Sequence, residues 1–119
     1  MTENYLYEHV LVDNPGRQTY RGEPVFISEY GGIKWAPHLQ NGWGYGNTPK
    51  SLEEFVDRYC SLTTTLMSHE EIIGLCYTQL YDVEQEQNGL YYYDRTPKFD
   101  EEVMDTLRAA MLQKAAIEA

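Results

Sequence analysis

Residues 24–32 are Pro24-Val25-Phe26-Ile27-Ser28-Glu29-Tyr30-Gly31-Gly32, an apolar run that ends in one carboxylate and a glycine pair. Three adjacent β-favouring residues between a proline and two glycines predict a strand that is buried on both faces. Glu29 comes where this strand ends. In α/β barrels and open parallel sheets, the carboxyl ends of the strands hold ligands and catalytic groups. Glu29 is therefore either a site residue or the buried partner of a nearby arginine or lysine.

A helix, a second strand and a last helix are predicted further along. Ser51 and Glu54 have the spacing of a capping box. They are followed at helical spacing by an apolar stripe: Leu52, Phe55, Val56, Tyr59, Leu62, Thr63 and Leu66. Residues 72–80 predict the next strand, and the resulting β-α-β unit predicts two parallel strands. The last helix follows Pro97, with Asp100 as its N-cap.

The overall composition excludes some partners. The chain has 119 residues and a formal net charge of −10, which disfavours binding to nucleic acid and to anionic membrane surfaces. No apolar run approaches the roughly 20 residues of a membrane span. We therefore expect neither nucleic acid nor a membrane as a partner. Cys60 and Cys76 are predicted to be free, buried thiols, which are typical of a reducing compartment, and we expect a cytoplasmic protein.

The loops carry three further predictions. Residues 33–50 form a long loop that is rich in glycine, tryptophan and proline, and Asn88-Gly89 predicts a tight turn. Arg95 and Lys98 are expected to pair with an acidic stretch. The alternating spacing of this stretch suits either a divalent cation or a rim that hydrogen-bonds to neighbouring loops, and we assign no metal site; its members are Asp82, Glu84 and Glu86.

Three blocks of the sequence together resemble the C-terminal end of the catalytic barrel of glycoside hydrolase family two, which includes β-galactosidases, β-glucuronidases and β-mannosidases. The blocks are residues 27–32, 74–91 and 95–100. The resemblance implies an α/β fold that is a partial (β/α)8 barrel. Residues 1–22 would be an irregular N-terminal segment, and residues 23–119 the last two β-α units of the barrel. Glu29 would end the seventh strand, and residues 72–80 would be the eighth.

The resemblance implies hydrolysis of a β-linked glycoside with retention of configuration at the anomeric carbon. No cofactor is expected. That mechanism uses two carboxyl groups about 5–5.5 Å apart, and Glu29 matches the family's nucleophile. The family's acid/base is a glutamate that follows an asparagine, and this sequence contains no Asn-Glu pair. Because a complete barrel needs about 250 residues, we expect a segment that carries the nucleophile and lacks the acid/base, and that is inactive in isolation.

The resemblance also implies a carbohydrate partner. Tyr77, Thr78 and Gln79 match positions that line the family's sugar subsite. Either Tyr30 or Ser28 is expected as a hydroxyl donor that favours the ionised form of Glu29. In the aromatic loop, tryptophan rings either stack on pyranose faces or pack the loop onto the barrel rim. The predicted substrate-binding residues are Tyr30, Trp35, Trp43, Tyr77, Thr78 and Gln79.

A second hypothesis comes from a different class of protein. Two strands and one helical layer leave strand edges and one sheet face without a partner. The chain is then a non-catalytic module that binds sugar or associates with other chains. We expect either self-association or association with the missing part of the barrel.

Overall fold

The computed structural model describes residues 20–37 and 47–119. Its elements are strand β1 (Val25–Gly31), helix α1 (Leu52–Met67), strand β2 (Ile72–Thr78), helix α2 (Glu101–Leu112) and a 3-10 helix (Ala116–Glu118). β1 and β2 pair in parallel, which confirms the α/β class and the β-α-β order. Most of the predicted N-terminal segment, residues 1–19, lies outside the described residues. Neither helix in the described ranges is long and apolar enough to cross a bilayer.

Both helices begin at the predicted cap residues. The Ser51 hydroxyl accepts a hydrogen bond from the Glu54 N–H at 3.1 Å, and the Asp100 carboxylate accepts one from the Val103 N–H at 2.9 Å. The Glu54 carboxylate bonds to the N–H of Lys50, not of Ser51, so only half of the predicted capping box forms. Each bond gives an acceptor to a backbone N–H group, in the first helical turn or just before the helix, that has no partner within the helix.

The core lies between one face of the sheet and the two helices. Ile27 and Tyr30 of β1 are buried there, and α2 contributes Met104 and Leu107. The predicted stripe of α1 supplies most of the remaining core: Phe55, Tyr59, Leu62, Thr63 and Leu66. Of the other two stripe residues, Val56 is partly buried against the core, whereas Leu52 lies in the first turn and is 38% exposed.

The predicted burial of the strands on both faces is wrong for the described residues, whereas the uncovered sheet face expected from the second hypothesis is present. Phe26 is 60% exposed and Ile73 is 54% exposed. Cys76 is also exposed and free, so the predicted buried thiol is wrong as well. The physical reason is that the described helices pack on one side of the two strands. We call the exposed strand residues the open face: Phe26, Ser28, Glu29, Ile73 and Cys76.

The loop after β2 turns at a different place from the one predicted. Val83 and Glu86 form an antiparallel bridge, so the two-residue turn is at 84–85. Gly89 is buried instead, and a Cβ atom there would collide with the backbone of Tyr81 and Asp82. Gly89 therefore allows the backbone of Tyr81 and Asp82 to lie close to its own backbone, and it does not form a tight hairpin turn.

Candidate functional site

Glu29 lies in a β-bulge near the carboxyl end of β1. Ile27 pairs with Leu75 and Tyr30 pairs with Tyr77, so Ser28 and Glu29 together lie opposite the single residue Cys76. Two residues against one is the defining feature of a bulge, which bends the strand and redirects side chains. Bulges are frequent next to active sites.

The bulge determines the face on which Glu29 lies. Side chains of a regular strand alternate, so Ile27 and Glu29 would share one face and Glu29 would enter the core. With the extra residue, Ile27 and Tyr30 are both buried, while Ser28 and Glu29 are both exposed. The expected alternative of a buried Glu29 is therefore wrong, and its carboxylate belongs to the open face.

Tyr30 and Tyr77 lie on the helix side of the sheet, opposite Glu29. Their ring centroids are 5.4 Å apart in an edge arrangement, and the Tyr77 ring lies 4.6 Å from that of Tyr59 on α1. The Tyr30 hydroxyl is 2.8 Å from the Thr63 hydroxyl and donates to the sulfur of Met111 at 3.3 Å. These partners occupy the hydroxyl that we expected near Glu29. The sugar contacts of both tyrosines stay predictions.

Burial controls the ionisation of these tyrosines. Desolvation raises the pKa of Tyr30 to about 12, against a smaller lowering by its hydrogen bond to Thr63. Burial also raises the pKa values of Tyr59 and Tyr77, with a further contribution from the neighbouring tyrosines. All three are neutral hydroxyls at physiological pH, and their rings pack against one another.

Thr78 is the last residue of β2, which ends two residues earlier than the predicted strand 72–80, and Gln79 follows it. The Thr78 carbonyl accepts a bond from the Gly32 N–H at 2.8 Å, and the peptide bond between Thr78 and Gln79 is cis. The Gln79 side-chain amide donates to the Asn88 side chain at 2.8 Å. Both residues are half-buried, and Gln79 is held by the loop that follows β2.

The two predicted tryptophans have different outcomes. Trp35 is half-buried, and its ring lies 5.9 Å from that of Phe55. Its backbone N–H donates to the carbonyl of Gln87 at 3.0 Å. These contacts favour the alternative in which the ring packs its loop onto the domain. Trp43 lies outside the described residues.

The acidic stretch acts mainly through Asp82. Lys98 forms a buried ion pair with it at 2.7 Å, which confirms the predicted pairing of that lysine. The other carboxylate oxygen of Asp82 and the side-chain oxygen of Gln87 are buried without a hydrogen-bond partner in the described part of the chain. The described residues contain no group of three or more His, Cys, Asp or Glu side chains that could hold a metal ion.

Sequence reasoning missed the role of Arg95. Its guanidinium lies 3.7 Å from the ring centroid of Tyr81, instead of pairing with the acidic stretch. The two residues are fourteen positions apart in a loop without regular periodicity, so no local pattern indicated the contact.

Comparison with protein-family models and with curated proteins finds no match to this chain. The folded part that is described is a small α/β unit with two parallel strands and two helices.

Proposed function

We propose that this chain is the C-terminal part of the catalytic (β/α)8 barrel of a retaining β-glycosidase similar to family two, with Glu29 as the nucleophile. The observation that carries the proposal is the bulge that turns Glu29 onto the open face. In a barrel, the helices cover the outside of the strands. The face away from the helices is then the barrel interior, where a nucleophile near a strand's carboxyl end meets its substrate.

The apolar side chains of the open face support the same arrangement. Phe26 and Ile73 are both more than half exposed, although buried apolar surface is worth about 25 cal/mol per Å². The Phe26 ring also lies against Gly74, leaving no room for a Cβ atom there. In the proposed barrel, these residues lie towards its bottom and pack against the other strands, while Glu29 lies nearer the top.

In the proposed mechanism, the ionised Glu29 attacks the anomeric carbon and the leaving oxygen is protonated by a second carboxylic acid. Water then breaks the glycosyl-enzyme ester, with that second group as base. Ser28, the other bulge residue, is the hydroxyl nearest in sequence to Glu29 on the open face. The acid/base comes from a strand of the barrel outside this sequence. Because general acid–base catalysis contributes about 10²–10⁴-fold, the chain alone should not turn over aryl β-glycosides measurably.

The test is a chimeric barrel in which residues 23–119 replace the last two β-α units of a family two β-glycosidase. We expect hydrolysis of its aryl β-glycoside substrate, lost in Glu29→Gly. Azide should then restore turnover by Glu29→Gly and yield the α-glycosyl azide. The reason is that azide attacks the anomeric carbon from the side on which the Glu29 carboxylate lies in the unchanged chimera. Glu23→Gln is the matched control, since Glu23 is exposed ahead of β1 and should be dispensable. A folded chimera whose activity survives Glu29→Gly would overturn the proposal.

The second candidate is a non-catalytic module that associates with other chains through the sheet. The exposed apolar residues of the open face favour it equally, since each outer strand edge also offers unpaired backbone groups. The same chimera separates the two candidates. A module should fold as an independent unit but give no Glu29-dependent hydrolysis.

A further inference from the structure

A small cavity lies in the loop that follows β2, outside the site described above. It is an open depression of about 260 Å³, lined by Leu80, Tyr81, Tyr91 and Arg95. Leu80 is 62% exposed, so the cavity opens to solvent beside an apolar side chain. Two tyrosines, a leucine and a single cation form a wall that is mostly apolar, with one charge at its edge.

Arg95 is held in place by its own loop. Its guanidinium stacks 3.7 Å over the Tyr81 ring and also donates to the carbonyl of Tyr93. The backbone N–H of Arg95 bonds to the Tyr92 carbonyl at 2.8 Å, and its φ of 74° lies in the left-handed region. Stacking occupies a face of the guanidinium plane, and leaves N–H groups at its edge to meet an acceptor.

The Arg95 guanidinium forms no salt bridge in the described part of the chain. The ion pairs there use Arg58, Lys98 or Arg108. The nearest acidic residue in sequence, Asp94, accepts hydrogen bonds from the N–H and hydroxyl of Thr96 at 3.0 and 2.7 Å. These bonds are the main cause of its lowered pKa, and the charge of Arg95 contributes less. In a chain with a net charge of −10, a held arginine without an ion-pair partner beside an aromatic cavity is suited to an external anion.

We propose that this cavity binds a small planar carboxylate, with its ring against Leu80, Tyr81 and Tyr91 and its carboxylate on Arg95. A carboxylate matches the two-pronged guanidinium edge, and the apolar lining selects a ligand with a ring over a bare inorganic anion. This site uses neither Glu29 nor the open face, and it does not depend on the glycosidase proposal.

The experiment is a titration of the full chain with benzoate, followed by amide chemical shifts in a ¹H–¹⁵N spectrum. Benzoate should shift amides of residues 80–81 and 91–95, and Arg95→Gln should weaken its binding about tenfold or more, since hydrogen bonds to charged groups are the strong ones. Benzamide, which has the same shape without charge, should bind far more weakly. Arg108→Gln is the matched control, because this exposed arginine lies on α2.

Several results would overturn the proposal. One is equal binding of benzoate and benzamide, and another is undiminished benzoate binding in a folded Arg95→Gln variant. A third is a set of amide shifts that map outside the cavity, or the absence of any shift. Glu29→Gln should bind benzoate as the unchanged chain does, so a failure of the glycosidase proposal leaves this result intact. Arg95→Lys keeps the charge but loses the planar fork, and should restore only part of the affinity.

Discussion

Lys98 Nζ lies 2.7 Å from Asp82 Oδ1, and the two side chains are 0% and 3% exposed. The ammonium also donates to the carbonyls of Trp35 at 2.5 Å and Gln87 at 3.4 Å, which gives each of its three N–H groups an acceptor. Asp82 in turn accepts from the Gly89 N–H at 2.9 Å. The pair thereby joins the segment after β1 to the loop after β2.

Lys98→Met should destabilise the protein strongly. Burial lowers the pKa of Lys98, and its bond to Asp82 opposes that shift. Removing the lysine leaves the Asp82 carboxylate buried without its counter-charge, which typically costs about 3–5 kcal/mol. Urea unfolding measures the loss. Arg108→Met, which breaks two exposed ion pairs, should stay within about 1 kcal/mol. Similar losses in both variants would contradict the buried-pair interpretation.

Alkaline pH should unfold the protein cooperatively. An unfolded tyrosine ionises near pH 10, whereas burial raises the folded pKa of Tyr30 to about 12 and raises those of Tyr59 and Tyr77 as well. Between these values the folded state binds more protons than the unfolded state. The stability that these groups contribute is therefore complete below pH 10 and is lost as the pH rises through the folded pKa. Tyrosinate absorbance and circular dichroism should change together.

The Tyr30→Phe variant separates the contribution of one hydroxyl. It should leave the buried Thr63 hydroxyl without its partner and cost about 1–3 kcal/mol at neutral pH. Tyr93→Phe is the control, because Tyr93 is 63% exposed and this change should barely alter the free energy of unfolding. A Tyr30→Phe variant as stable as the unchanged chain would show that this hydrogen bond contributes nothing.

Phe55→Ala should cost about 3–5 kcal/mol, because the ring is fully buried and its loss leaves a cavity. The ring lies 4.9 Å from that of Phe99, and so connects α1 to the segment ahead of α2. Glu53→Ala, on the exposed side of α1, should stay within about 0.5 kcal/mol. Equal shifts in the denaturation midpoint would contradict the helix orientation.

The open face should drive association. Light scattering with size-exclusion chromatography is expected to show oligomers whose fraction rises with concentration, because Phe26 and Ile73 gain burial there. Ile73→Asp should shift the chain towards monomer, whereas Leu112→Asp, at a site that is 82% exposed on α2, should not. A sharp monomer peak at every concentration would rule this association out.

Thiol labelling gives an independent measure of the same contact. Cys76 is exposed on the open face, whereas Cys60 is half-buried on α1 and burial raises its pKa. Cys76 should therefore react faster with a maleimide at low protein concentration, since the thiolate is the reactive form. Its labelling should slow as the protein associates. A Cys76 rate that does not depend on concentration would place the interface elsewhere.

The helices were predictable because their signals are local. The Ser51 and Asp100 caps each bond to a backbone group three residues away, and the buried side of α1 follows from helical spacing of apolar residues. The strands were predictable in position and direction but not in burial. Apolar side chains on both faces indicate that a strand favours burial on both sides. They do not indicate whether another helix or strand actually packs on each side.

The identity of Glu29 as a lone carboxylate near a strand end followed from the sequence alone. Its face did not, because the bulge is a property of the pairing between β1 and β2, whose residues are more than forty positions apart. The buried Lys98–Asp82 pair was anticipated from opposite charge, but the stacking of Arg95 on Tyr81 was not. Local bonds and periodicity are encoded within a few residues, whereas register, the face of Glu29 and loop contacts depend on segments that meet only when the chain folds.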